Sequence, residues 1–214
     1  MSFHSFGLPH SFIDILEREQ YKNPYPIQQA AIPLILKGRD VLGIAPTGSG
    51  KTASYVLPVL SALNRKKGAK DRQVDVLVLV PTRELAEQVK KVFVLFEKGL
   101  EHSAPTMAVY GGVSINPQMK ALFGISVLVA TPGRLLDLVS SNAVRFNQLQ
   151  TLILDEADKL LNLGFKDEMS QIFALLPKKR QNLLFSATLN EKVEEIDETV
   201  KKIDEKLFEI IKKN

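Results

Sequence analysis

The chain of 214 residues has no cysteine, no tryptophan and only three histidines, His4, His10 and His102. Without cysteine there is no disulfide framework, no thiolate metal site and no thiol nucleophile. Three imidazoles leave little material for a histidine-rich metal centre or a histidine-based triad. Apolar runs are short: Val76-Leu77-Val78-Leu79-Val80 is among the longest, far below the ~20 residues that span a bilayer. Met1 is not followed by a charged segment and an apolar one, so no export signal is expected. The expectation is a soluble, cytoplasmic protein with no membrane contact. At ~100–200 residues per domain, the length allows one large domain or two small ones.

Charge is modest and uneven. The formal net charge is +4, but residues 191–214 hold six lysines against eight acidic residues. Residues 1–190 therefore carry +6, which is compatible with an anionic partner and equally with an ordinary solvated surface. The basic stretch 65–72 reads as a solvated loop.

Short β-branched or leucine-rich runs at 41–45, 74–80, 107–110, 127–130, 151–154 and 182–185 read as strands. Several are apolar almost throughout, the pattern of strands buried on both faces of a parallel sheet. Between them, 52–64, 84–96 and 116–123 have helical apolar spacing. Such alternation predicts an α/β fold with right-handed crossovers and an open sheet carrying helices on both faces. Ligands of such sheets bind beyond the carboxyl ends of the strands, so the residues after each run carry the chemistry.

The first run leads into Ala45-Pro46-Thr47-Gly48-Ser49-Gly50-Lys51-Thr52. Glycines let successive amides turn inward as an anion nest at a helix N-terminus. Lys51 can reach phosphate oxygens and the Thr52 hydroxyl can ligate Mg²⁺. Ala45 replaces the usual first glycine, outside the nest formed by Thr47, Gly48, Ser49, Gly50, Lys51 and Thr52. A plain helix-capping turn would need neither Gly-Lys-Thr nor the strand before it. The run at 151–154 leads into Asp155-Glu156-Ala157-Asp158. Asp155 suits the second Mg²⁺ element of a P-loop NTPase, and Glu156 is placed to polarise a water. Acidic capping of the next helix is the simpler alternative, but it needs only one carboxylate.

Three further strand ends carry Pro81-Thr82-Arg83, Gly111-Gly112 and Thr131-Pro132-Gly133-Arg134. Each alone reads as a cap or turn. Together on one edge they form a track suited to backbone phosphates. Ser186 and Thr188 after the last run could link the acidic cluster around Asp158 to another part of the molecule, although Ser-x-Thr commonly starts a helix.

In this order, the motifs resemble those of the DEAD-box family of ATP-dependent RNA helicases. The residues from Ala45 to Thr52 resemble its motif I, Pro81 to Ala86 motif Ia, and Gly111-Gly112 the GG motif. Thr131 to Arg134 resemble motif Ib, Asp155 to Asp158 motif II, and Ser186 to Thr188 motif III. Upstream, Tyr21-Lys22-Asn23-Pro24-Tyr25-Pro26-Ile27-Gln28 is similar to the Q motif, with Gln20 where glycine is frequent and Tyr25 where threonine or serine is.

The resemblance implies a RecA-like P-loop domain in which Gln28 reads adenine and Tyr21 packs on its ring. It implies that Lys51, Thr52 and Asp155 hold ATP with Mg²⁺, that Glu156 orients the water, and that Lys51, Asp155 and Glu156 carry catalysis. Asp158, Ser186 and Thr188 would couple the pocket to RNA. Pro81, Thr82, Arg83, Gly112, Thr131, Pro132, Gly133 and Arg134 would contact the RNA backbone. The expected organisation is a Q-motif region at 1–28, a RecA-like lobe at 29–190 and a tail at 191–214. The family's second lobe, with its arginine fingers, is not among these residues, so weak nucleotide binding and negligible hydrolysis are expected of them alone. A non-enzymatic nucleotide- or partner-binding module on the same lobe is the alternative.

In the tail, Val193, Ile196, Val200, Ile203, Leu207 and Ile210 are spaced by three and four. That seam predicts an amphipathic helix through most of 191–212, packed on its own domain or touching another chain. A monomer is expected. The family usually has a short strand here, for which 207–211 would serve.

Overall fold

Runs that must hide both faces end up as the inner layer of a sandwich. The computed structural model describes residues 2–63 and 72–188 and the backbone of 209–212. Strands β1 (Val41–Ile44), β2 (Val76–Leu79), β3 (Thr106–Val109), β4 (Val127–Ala130), β5 (Thr151–Leu154), β6 (Gln181–Ser186) and β7 (Glu209–Lys212) form one sheet. Helices α1 (His10–Arg18) and α2 (Pro26–Leu36) precede β1, and α3 (Lys51–Leu63), α4 (Arg83–Glu97), α5 (Ile115–Ala121) and α6 (Pro132–Ser140) follow β1 to β4 in turn. Helices α7 (Ala157–Asn162) and α8 (Lys166–Leu175) join β5 to β6. The strand order is β3-β4-β2-β5-β6-β1-β7, and every pair is parallel.

Alternation along each strand divides the core into two layers. Val76, Val78, Val127, Val129, Ile153 and Phe185 face α1 to α4, where Phe12, Tyr55, Phe93 and Phe96 fill the space. Leu77, Leu79, Leu128, Leu152 and Leu184 face the other side, against Leu135, Leu138, Leu160 and Phe173. Each fully buried leucine or phenylalanine contributes about 1.5–3 kcal/mol relative to exposure. The expected α/β sheet with helices on both faces is therefore the observed one. At β1, Gly43 is dictated by packing, because a Cβ there would lie 2.6 Å from the Phe185 ring on β6.

The tail departs from expectation. Residues 209–212 form β7, paired in parallel with β1 from Val41↔Glu209 to Ile44↔Lys212, not the end of a helix. The rest of the predicted helix, 191–208, lies outside the described residues. The physical reason for the strand is local: Ile210-Ile211 is a β-branched pair, and the edge of β1 offers unpaired backbone groups that a strand satisfies and a helix cannot. The three-and-four spacing of the seam says nothing about that competing partner.

This order divides the carboxyl edge of the sheet in two. The loops after β5, β6 and β1 are neighbours on one half. Those after β3, β4 and β2 are neighbours on the other.

Candidate functional site

On the first half, the chain leaving β1 curls at Gly48 (φ 80°) and Gly50 (φ 85°) before entering α3 at Lys51. Positive φ at both positions lets the loop turn tightly, with the Ser49 N–H donating back to Pro46 O at 3.3 Å, and only glycine adopts it without strain. Lys51 is buried within the curl, and its Nζ donates to Ala45 O at 2.5 Å and Pro46 O at 3.2 Å. Burial lowers its pKa, against the opposing pull of Asp155 and Glu156. A partly desolvated ammonium ringed by loop amides is a strong point charge for a phosphate.

Facing it, Asp155 follows β5 and is 2% exposed. Its Oδ2 accepts the Tyr55 hydroxyl proton at 2.7 Å, and its Oδ1 accepts the Glu156 N–H at 2.9 Å. Burial raises its pKa, and the hydrogen bond from Tyr55 opposes that rise. Glu156 adopts a left-handed conformation (φ 52°, ψ 50°) at the start of α7, which costs a non-glycine residue about 1–2 kcal/mol. This strained turn separates two adjacent carboxylates, leaving Asp155 in the interior while Glu156 reaches the cleft and pairs with Lys159 at 3.0 Å.

The wall beyond the loop is made by the chain around α1 and α2. α1 ends in a Schellman motif: Tyr21 N–H donates to Leu16 O at 2.8 Å and Gln20 N–H to Glu17 O at 3.0 Å. The motif needs a left-handed residue, and Gln20 supplies it at φ 62°, where glycine is the usual choice. Tyr21 leaves the turn held edge-on between Phe3 and Phe96, each centroid 6.4 Å away. Gln28 is fully buried in α2. Its Oε1 accepts the Tyr25 N–H at 2.9 Å and its Nε2 donates to Gly50 O at 3.1 Å. A Cβ on Gly50 would lie 2.5 Å from that Nε2. In this geometry Gln28 clamps the glycine loop and does not line the cleft.

A cleft of about 760 Å³ runs between these parts, lined by Tyr21, Asn23, Tyr25, Thr47, Gly48, Gly50, Lys51, Thr52, Asp155 and Glu156, with Leu85, Gln88 and Val92 of α4. Thr52, Lys51 and Asp155 supply the hard oxygen donors and the charge that a Mg²⁺-bound phosphate chain needs. Among the described residues no cluster of three or more His, Cys, Asp or Glu could hold a metal unaided. That donor set fits Mg²⁺, which takes one or two protein ligands and completes its shell with phosphates and water.

Ser186, Thr188 and Asp158 also come together here. The Thr188 hydroxyl donates to Asp158 Oδ2 at 3.1 Å. Asp158 Oδ1 and Ser186 Oγ are buried with no hydrogen-bond partner among the described residues. Such a half-satisfied group costs stability.

The other half of the edge is more open. Thr82 caps α4 by accepting the Leu85 N–H at 3.2 Å. The Thr131 side chain makes no capping bond to α6, which starts with Pro132. Gly112 has φ 79°. A Cβ added at Gly111 or Gly133 would meet nothing within 4 Å, so the fold does not require glycine there. Arg83 lies exposed beside Glu84 at 3.1 Å. Arg134 is folded inward: its side chain is 9% exposed, Nη2 donates to Val113 O at 2.8 Å and Nε lies 3.5 Å from Asp137. It ties α6 to the loop carrying Gly111 and Gly112.

The structure thus gathers Thr47, Gly48, Gly50, Lys51, Thr52, Asp155, Glu156 and Tyr21 about one cleft, while Ser49 turns its hydroxyl to Pro46 O at 2.6 Å. Pro81 to Arg83, Gly112 and Thr131 to Arg134 lie on the adjoining edge. Sequence reasoning missed Tyr55 and the α4 side chains. Tyr55 carried a readable signal, being the one polar-tipped side chain in Tyr55-Val56-Leu57-Pro58-Val59-Leu60 and one turn beyond Thr52.

Among the described residues no helix is long and apolar enough to cross a membrane. A DEAD/DEAH box helicase family model matches residues 25–196. The chain is 41% identical over 197 residues to the DEAD-box ATP-dependent RNA helicase CshA of Streptococcus pneumoniae, covering 92% of this chain and 36% of that protein. It is 44% identical over 197 residues to the ATP-dependent RNA helicase DeaD of Buchnera aphidicola, covering 92% and 32%. It thus spans about a third of the length of these relatives. Its fold is similar to that of a DEAD box protein from Methanococcus jannaschii, with a TM-score of 0.86 and 32% identity over 99% of this chain and 56% of that one. The yeast DEAD-box splicing factor Prp28 superposes with a TM-score of 0.80 and 34% identity, over 86% of this chain and 45% of that one.

Proposed function

From the premise that the chain belongs to the DEAD/DEAH box helicase family, we propose that residues 1–214 are the ATP-binding lobe of an ATP-dependent RNA helicase. The observation that carries this is the convergence of Lys51, Thr52, Asp155 and Glu156 on one cleft, from the ends of β1 and β5 on either side of β6. Lys51 and the loop amides bind the phosphates, and Thr52 and Asp155 would hold Mg²⁺, which supplies charge neutralisation when bound. Glu156 orients the attacking water, and its strained backbone keeps the carboxylate in the cleft. Tyr21 packs on the base, and Gln28 holds the loop to the wall that receives it.

RNA lies along the adjoining edge, with Gly112 and Gly133 admitting its backbone and Arg83, Thr82 and Thr131 offering donors. Pro81 precedes the cap of α4 and Pro132 is the first residue of α6, and Arg134 holds the track in shape. Asp158, Ser186 and Thr188 relay between the halves. The lobe acts as a monomer in the cytoplasm, with a second lobe closing over both ligands. Arginine fingers accelerate phosphoryl transfer about 10³–10⁵-fold, so without that lobe residues 1–214 bind ATP and hydrolyse it slowly. Titration with Mg-ATP, single-stranded RNA and single-stranded DNA, with Lys51→Ala as control, tests the reading. Mg-ATP binding lost in the variant supports it, and equal binding by both chains overturns it.

A further inference from the structure

Tyr55 is fully buried, packed against Phe185 at 5.2 Å and Phe93 at 6.3 Å between ring centroids. Its hydroxyl is the one polar tip of that aromatic cluster, and it emerges beneath the cleft floor. There it donates to Asp155 Oδ2 at 2.7 Å. Thr52 lies one turn earlier on the same helix, α3. A phenol carries a single proton, and here it goes to Asp155. The bond therefore ties α3, which carries Thr52, to Asp155, and these are the two residues read above as the Mg²⁺ ligands.

A carboxylate that ligates a cation must be held in one plane. Tyr55 meets that need: it fixes one oxygen of Asp155 while the Glu156 N–H fixes the other. We propose that Tyr55 is a positioning residue for the divalent cation of the nucleotide, a brace that orients Asp155 from within the core. The proposal rests on the Mg-nucleotide reading and assigns a role to a residue outside the cleft lining. The competing explanation is a core tyrosine whose hydroxyl merely needs a partner.

The test is ADP binding to residues 1–214 and to Tyr55→Phe, measured by calorimetry in Mg²⁺ and again in EDTA. The substitution keeps the ring contacts. The result expected is an unchanged affinity in EDTA with the Mg²⁺-dependent gain reduced about tenfold or more, the usual size of an outer-sphere loss. An undiminished Mg²⁺ gain, or equal loss in both media, overturns the role. No ADP binding by the unsubstituted chain in either medium overturns the nucleotide reading itself, and the role of Tyr55 with it. An independent readout needs no variant: with 3-fluorotyrosine incorporated, the Tyr55 fluorine resonance should move between metal-free ADP and Mg-ADP. A resonance that stays in place contradicts the proposal even if Tyr55→Phe does not fold.

Discussion

The two halves of the sheet edge are built from the same kind of strand end, yet they solve opposite problems. Beyond β1, β5 and β6, buried polar side chains are bonded into the fold: Lys51 to loop carbonyls, Asp155 to Tyr55, and Asp158 to the exposed Thr188. Beyond β2, β3 and β4, glycines leave open space and Arg83 lies in solvent. A phosphate chain with its cation needs fixed donors in a dry cradle, where each bond is strong. A nucleic-acid backbone needs room and repeated shallow contacts. Residue burial, more than residue type, distinguishes the two.

The largest effect expected is from Lys51→Ala. Losing a charge-assisted bond of about 1.5–3 kcal/mol should weaken Mg-ADP binding by about tenfold or more, with RNA binding unchanged. A parallel loss of RNA binding in that variant would break the division between the halves.

Asp155→Asn comes next and sharpens the claim that the cradle holds a buried charge at a cost. Burial raises the folded-state pKa of Asp155 above its ordinary value, so its favourable contribution is fully present below the ordinary carboxylate range. That contribution is lost as pH rises through the folded value. The melting temperature of the aspartate chain should therefore gain on that of the asparagine chain as pH is lowered from about 7 to about 3, spanning the ordinary carboxylate value. A difference independent of pH would contradict the burial argument.

A smaller effect is expected from Gly133→Ala on the open half. The new methyl meets nothing in the protein, and alanine in a helix is favoured over glycine by about 0.5–1 kcal/mol. Stability should hold or rise slightly and Mg-ADP affinity should stay the same, while RNA affinity falls. Unchanged RNA affinity would remove Gly133 from the track. Smallest of all, Gln20→Gly should raise stability in urea unfolding by up to about 1 kcal/mol by relieving the left-handed strain, without moving RNA affinity.

Much of this architecture was legible in the residues themselves. The inner strands could be read because parallel strands covered on both faces must be apolar throughout, as Val76 to Leu79 and Val127 to Ala130 are. Ladder bounds differed only at the ends: Val74 and Val80 flank β2 without joining it. The phosphate loop was legible because its chemistry is local, confined to adjacent positions. The remainder depended on distant partners. β7 forms because the β1 edge is there to receive it, and the heptad-like spacing of the tail carries no trace of that edge. Gln28 grips Gly50 across 22 positions and Tyr55 meets Asp155 across 100, separations at which periodicity is silent. Arg134 resembles a solvent-facing phosphate ligand in sequence but is folded onto Val113.

Hydrogen exchange of the free and Mg-ADP-bound chain tests the division between the halves most directly. Protection should appear at 46–52 and around 20–28, where the loop and Tyr21 meet the nucleotide and Gln28 clamps the loop, and be absent at 111–113 and 131–134. Protection spread equally over both halves, or confined to the second, would contradict it.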